Sequence, residues 1–130
     1  MTKTLTLVGA DIHDIPSLYD EINRVFMAGE DWTLGPSLDA LDDMLYGGFG
    51  AIAGDEPVTL VWEGFDRMAS VLGPETTRAF LQQKLDRPEV FNTALIRRQL
   101  DALERGEGQT YLEIVLEIIA SHANIELVRR

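Results

Sequence analysis

The stretch GPSLDALDDMLYGG, residues 35–48, predicts a short helix around which the rest of the chain can be placed. Pro36 and Ser37 can begin this helix, because a serine hydroxyl accepts a free backbone N–H of the first turn. The glycine pair at 47 and 48 can end it. Three leucines recur at helical spacing and are expected to face a core: Leu38, Leu41 and Leu45.

The other side of the predicted helix is acidic. Asp39, Asp43 and Tyr46 follow an i, i+4, i+7 row, and Asp42 widens the acidic side. Carboxylates four residues apart on a helix repel each other by roughly 0.2–0.5 kcal/mol. No lysine or arginine occurs between residues 24 and 67, so no basic neighbour in sequence relieves this repulsion. The helix therefore carries a charge cluster that folding does not require.

A solvated surface is the ordinary explanation of an acidic helix, but three features here favour a contact surface. Basic neighbours are missing, the aromatic residues Trp32 and Tyr46 flank the helix, and Glu30 and Asp31 add carboxylates in the preceding loop. Carboxylates spaced along a rigid helix resemble the phosphates of a nucleic-acid backbone. We therefore expect a positively charged, phosphate-binding cleft to receive them, with opposed charge speeding encounter and selecting the partner.

Composition agrees with a basic protein partner. The 130 residues fit one domain, and 22 acidic against 11 basic residues give a formal net charge of −11. This charge argues against nucleic acid or an anionic membrane as the direct ligand. There is no cysteine, no signal-peptide layout and no apolar run near the roughly 20 residues that span a bilayer. We expect a cytoplasmic protein without a cofactor.

The rest of the chain alternates short strands with helices. Strands are predicted at residues 4–8, 58–62 and 125–128, and helices at residues 14–29, 65–72, 74–85, 88–105 and 111–121. Strands separated by helices call for a parallel sheet with right-handed crossovers. The fold class is therefore α/β, with a small three-stranded parallel sheet packed with helices.

A catalytic alternative would use the acidic residues as a metal site. Asp39, Asp42 and Asp43 have a D-x-x-D-D order, and hard oxygen ligands suit Mg²⁺. The signal is weak, because the chain has no second aspartate-rich segment and no phosphate-binding glycine loop. His13 and His122 lack motif neighbours and are expected in loops or at the surface. We therefore predict a protein that is not an enzyme and holds no metal.

The segment G-x-S-L-D-A-L-x-D, residues 35–43, resembles the binding motif of the barstar family of ribonuclease inhibitors. The run L-V-W-E-G-F, residues 60–65, is similar to that family's second strand, and the last helix and strand match in position. The resemblance covers residues 2–73 and 109–130. It implies a single barstar-like domain over residues 1–130, with residues 74–108 as an extra helical insertion.

The resemblance also implies a function. The protein would bind a basic ribonuclease or similar secreted toxin one to one and plug its active site, protecting the bacterial cell that produces it. Asp39 and Asp43 match acidic contact positions, and Asp43 would reach deepest into the phosphate-binding site. Glu117 falls near a further acidic contact position in the last helix. The free protein is expected to be a monomer.

Departures from the family pattern bear on the identity of the partner. Ser37 stands where the family has asparagine, Asp42 where an aromatic or neutral residue is common, and Trp32 is the ring nearest to an expected aromatic pair. The partner-binding residues predicted from sequence are Asp39, Asp43, Asp42, Tyr46, Trp32, Ser37 and Glu117. An acidic immunity or interaction module for a basic partner that is not a ribonuclease remains the alternative.

Overall fold

Three parallel strands form the centre of the computed structural model, which describes residues 2–130. The strands are β1 (Lys3–Val8), β2 (Val58–Glu63) and β3 (Ile125–Arg129), in the order β1-β2-β3. Leu60 of the central strand lies opposite Leu5 on one side and Leu127 on the other. The predicted α/β class and three-stranded parallel sheet are confirmed. The prediction of one domain over residues 1–130 extends to Met1, which lies outside the described residues.

Helices connect and cover these strands. Within residues 2–130 the α-helices are α1 (Ile15–Phe26), α2 (Leu38–Leu45), α3 (Met68–Val71), α4 (Pro74–Leu85), α5 (Thr93–Glu104) and α6 (Tyr111–Ala120). Short 3₁₀ turns follow β1 and β2. In the described part of the chain, no helix has both the length and the apolar character needed to cross a bilayer.

The first helix shows how local sequence sets the boundaries. Asp14 caps α1 by accepting the Ser17 backbone N–H, and the Ser17 hydroxyl accepts the Asp14 backbone N–H in return. The helix ends at Phe26, earlier than the predicted end at residue 29. Its inner residues Leu18 and Ile22 are buried in the main core with Trp62 of β2.

The segment that was predicted as an insertion forms two packed helices, α4 and α5, with a small hydrophobic cluster between them. Leu81, Ile96 and Leu103 are the buried residues of this cluster. The pair is joined to the main body through Thr77, whose hydroxyl accepts the Tyr111 backbone N–H at 2.7 Å. The helix predicted from residue 88 begins instead at Thr93, because the Asn92 side chain accepts the Leu95 N–H and caps it there.

Candidate functional site

Local sequence fixes both ends of α2. The Ser37 hydroxyl accepts the Ala40 backbone N–H at 3.3 Å, as predicted for the helix start. Gly47 has a φ of +86°, and a Cβ there would lie 2.1 Å from the Gly54 carbonyl oxygen, so only glycine fits this turn. On the inner face Leu41 and Leu45 are buried, whereas Leu38 is half-buried. The helix therefore holds its outer side chains on a rigid support.

The outer side of α2 presents an acidic face, which we define as Asp39, Asp43 and Tyr46. All three residues are exposed, and 67% of Tyr46 is accessible to solvent. None of the salt bridges within residues 2–130 involves Asp39 or Asp43. The two carboxylates remain available to an outside cation.

Asp42, predicted to widen the acidic side, is engaged inside the molecule. Its carboxylate lies 2.7 Å from His122 Nε2, and the His122 ring packs edge-on against Tyr46 with centroids 4.7 Å apart. His122 lies in the loop between α6 and β3, as expected, but it is buried there and not at the surface, since only 7% of the residue is exposed. The contact links α2 to the end of α6 and has no signature in the sequence, where the two residues are 80 positions apart. His13 is exposed, as expected.

A second neighbour of the acidic face also comes from far along the chain. The absence of basic residues between 24 and 67 suggested that nothing relieves the repulsion on α2, but Lys84 of α4 lines the same groove as Asp39. Burial lowers the pKa of Lys84, and the Asp39 carboxylate opposes that change. The Lys84 ammonium lies 4.4 Å from the centroid of the Phe80 ring. Asp39 therefore has a basic neighbour in space.

The loop before α2 is held by a side chain of α1. Asn23 donates to the Leu34 carbonyl oxygen at 3.1 Å and accepts the Leu34 N–H at 2.6 Å, while the Leu34 side chain is buried. This anchoring leaves Trp32 at the surface with 45% of the residue exposed, its ring 5.0 Å from that of Phe49. Trp32, which the sequence placed beside the predicted helix, is thus a surface residue and not part of the core.

Glu117 lies on the exposed side of α6. Its carboxylate accepts a hydrogen bond from Gln109 Nε2 at 2.6 Å. The hydrogen bond that connects α6 to α2 is made by His122 and not by Glu117. The structure thus gives Asp39, Asp43 and Tyr46 one common face, whereas Glu117 stands on a separate helix.

The metal alternative has no geometric support within residues 2–130. No group of three or more histidine, cysteine, aspartate or glutamate side chains there is arranged to hold a metal ion. Asp42, one of the three candidate ligands, faces His122.

Comparison with known proteins agrees with the motif on α2. A search of curated proteins gives no match. A family model described as Barstar (barnase inhibitor) matches residues 2–83, well over half of the chain, and this range includes the sheet strands β1 and β2 and the whole of α2. The family is one of inhibitors and not of catalysts. The chain therefore belongs to the Barstar family of barnase inhibitors.

Proposed function

We propose that this protein inhibits a basic ribonuclease toxin by placing the acidic face of α2 in the enzyme's active site. The observation that carries the proposal is the row of exposed carboxylates, Asp39 and Asp43, on a short capped helix in a chain of the Barstar family. A ribonuclease active site binds phosphate groups, so its cationic side chains would attract carboxylates held at a fixed spacing.

The surroundings of α2 support a preformed surface. The inner residues of the helix are buried, the preceding loop is anchored by Asn23, and the Asp42–His122 contact ties the helix to α6. A surface that is already ordered loses less conformational entropy on binding than a mobile one. We further propose that Trp32 and Tyr46 add contacts around the carboxylates and that Glu117 forms an outlying contact.

The cellular setting belongs to the same proposal. A protein that neutralises a toxin in the cell that makes it would act in the cytoplasm, as a free monomer that forms a one-to-one complex. The net charge of −11 suits a basic target.

RNA cleavage by small basic bacterial ribonucleases is the direct test. Cleavage is followed while wild-type protein or Asp43→Asn is added in increasing molar ratio. Asp66→Asn serves as the matched control, because Asp66 is an exposed carboxylate in the turn after β2 and outside the acidic face. We expect wild type and Asp66→Asn to abolish cleavage at one equivalent, and Asp43→Asn to require a large excess.

The same experiment distinguishes ribonuclease inhibition from a second candidate function, that of an immunity module for a basic toxin of another class. Ser37 and Asp42 depart from the family pattern, and Asp42 is paired with His122 instead of forming part of the outward face. These departures favour a partner that differs from the usual target. If no ribonuclease is inhibited while a basic toxin of another class binds in an Asp43-dependent way, the protein is an immunity module for that class.

A further inference from the structure

An open groove of about 370 Å³ lies beside the acidic face, between the start of α2 and the α4–α5 pair. Pro36, Leu38 and Asp39 line it from the side of α2. Phe80, Lys84 and Phe91 line it from the other side. The groove is therefore continuous with the proposed binding surface and extends that surface onto the helical pair.

The chemistry of this groove is that of a cation site. The Lys84 ammonium lies 4.4 Å from the centroid of Phe80 and 5.3 Å from that of Phe91. Aromatic ring faces attract cations, and the Asp39 carboxylate on the opposite wall adds a negative charge. A cation from the chain itself thus already occupies the aromatic part of the groove.

An arginine would suit these walls better than the resident lysine. Its planar guanidinium can stack on a ring and donate two parallel hydrogen bonds to one carboxylate. A lysine ammonium is a compact and strongly hydrated charge, which burial between rings disfavours. The lowered pKa of Lys84 agrees with this cost of burial. The groove is also large enough to admit a second side chain.

We propose that this groove receives an arginine side chain of the partner protein, which displaces Lys84 and binds between the Asp39 carboxylate and the Phe91 ring. The identity of the partner as a basic protein rests on the proposed function. Two consequences follow for partner binding. Lys84 competes with the partner for Asp39, and the α4–α5 pair contributes to partner recognition.

The groove can be tested without any partner. Backbone and side-chain NMR shifts of the full chain are followed during titration with N-acetyl-arginine amide, a probe of one arginine side chain. We expect the largest shifts at Asp39, Lys84 and Phe91. Lys84→Met should bind the probe severalfold more tightly, because the competing cation is gone, and Phe91→Ala severalfold more weakly. Phe80 is left unchanged because its ring packs against that of Tyr111, 5.1 Å away.

A matched control distinguishes the effect of removing Lys84 from the groove from the effect of removing one positive charge anywhere on the protein. Arg87→Met removes the same charge from an exposed side chain that follows α4, and should leave probe affinity within about twofold of wild type. Equal affinity of wild type, Lys84→Met and Phe91→Ala would overturn the proposal. So would shifts spread over all acidic residues, or selective binding of N-acetyl-glutamate amide at Lys84 instead.

Measuring ribonuclease inhibition by the same variants tests the proposed function and the groove proposal independently of each other. If wild type inhibits a ribonuclease, Lys84→Met should lower the inhibition constant severalfold and Phe91→Ala should raise it. Unchanged inhibition constants together with an intact effect of Asp43→Asn would overturn the groove proposal alone. Selective arginine binding in the groove without inhibition of any ribonuclease would contradict the proposed function alone.

Discussion

Asp39 and Asp43 stand one helical turn apart on the exposed side of α2, where like charges oppose helix formation by roughly 0.2–0.5 kcal/mol. We therefore expect Asp43→Ala to leave the free energy of unfolding within about 0.5 kcal/mol of wild type, or to raise it slightly. The same change should weaken partner binding by about 2 kcal/mol or more, since buried charged contacts dominate many interfaces. Urea denaturation and calorimetric titration measure the two quantities.

Urea denaturation and calorimetric titration of Asp66→Asn provide the control. This substitution should change neither the free energy of unfolding nor the free energy of partner binding appreciably. A loss of stability at Asp43→Ala as large as the loss of binding energy would contradict this account, because the carboxylate would then be structural.

Glu21 is a carboxylate with a structural role that pH can test. It is buried, it accepts the Val8 backbone N–H at 2.6 Å, and Arg24 donates two hydrogen bonds to it at 2.7 Å. The hydrogen bonds from Arg24, more than that from Val8, hold the pKa of Glu21 below its usual value of 4.5, against the effect of burial. The stabilisation by the ionised form is therefore complete above pH 4.5 and is lost as the pH falls through the folded-state pKa.

We predict that Glu21→Gln lowers the free energy of unfolding by about 1–3 kcal/mol at pH 7. The difference from wild type should shrink at pH 3, because below pH 4.5 the Glu21 carboxyl of the unfolded chain takes up a proton, which reduces the stabilisation by the ionised form. Urea denaturation of both proteins at the two pH values checks this. A difference that stays constant with pH would show that the lost interaction does not depend on ionisation.

Individual contacts were the least predictable feature of this chain. Asp39, Asp43 and Tyr46 were placed correctly on one exposed face, because residues at i, i+4 and i+7 share a side of any α-helix. Asp42 belongs to the same acidic stretch, yet its partner is His122, 80 positions away. The approach of Lys84 to Asp39 is likewise set by the packing of α4 and not by local sequence.

The Asp42–His122 contact fixes α2 against the loop that follows α6. We predict a coupling energy of about 0.5–3 kcal/mol in a double-mutant cycle of Asp42→Ala and His122→Phe. Phenylalanine keeps a ring beside Tyr46 and removes the hydrogen bond, so the cycle isolates the polar contact. Urea denaturation of wild type, the two single variants and the double variant gives the four free energies of unfolding from which the coupling energy is calculated. Effects that add within about 0.3 kcal/mol would mean that this contact does not couple the helices.

Helices with strong capping signals were predicted within a few residues, and α5 was not. Ser37 and Asp14 mark their helix starts with side-chain caps, and Pro74 begins α4. The prediction for α5 took the proline at 88 as the start, whereas the chain first makes a turn in which the Val90 and Phe91 N–H groups both donate to the Arg87 carbonyl oxygen. Asn92 then caps the true helix. Two start signals lie close together here, and the helix begins after the second one, the Asn92 cap.

Over the whole molecule, the net charge of −11 should govern how fast the complex forms. We predict that the association rate constant with an inhibited ribonuclease falls at least about tenfold between low and high salt, while the dissociation rate constant changes little. Salt screens the long-range field that steers encounter but acts weakly on contacts that exclude water. Stopped-flow fluorescence at several ionic strengths measures both constants, and a salt-independent association rate would contradict electrostatic steering.

We propose that the acidic face occupies the place of RNA phosphates in the target's active site. Calorimetric titration of the protein into an inhibited ribonuclease, with and without a saturating nucleotide in that active site, tests this most directly. We predict one-to-one binding whose apparent dissociation constant rises in proportion to nucleotide concentration, because both ligands need the same cationic groups. Affinity that is unaffected by the nucleotide would place the protein elsewhere on the enzyme and contradict the claim.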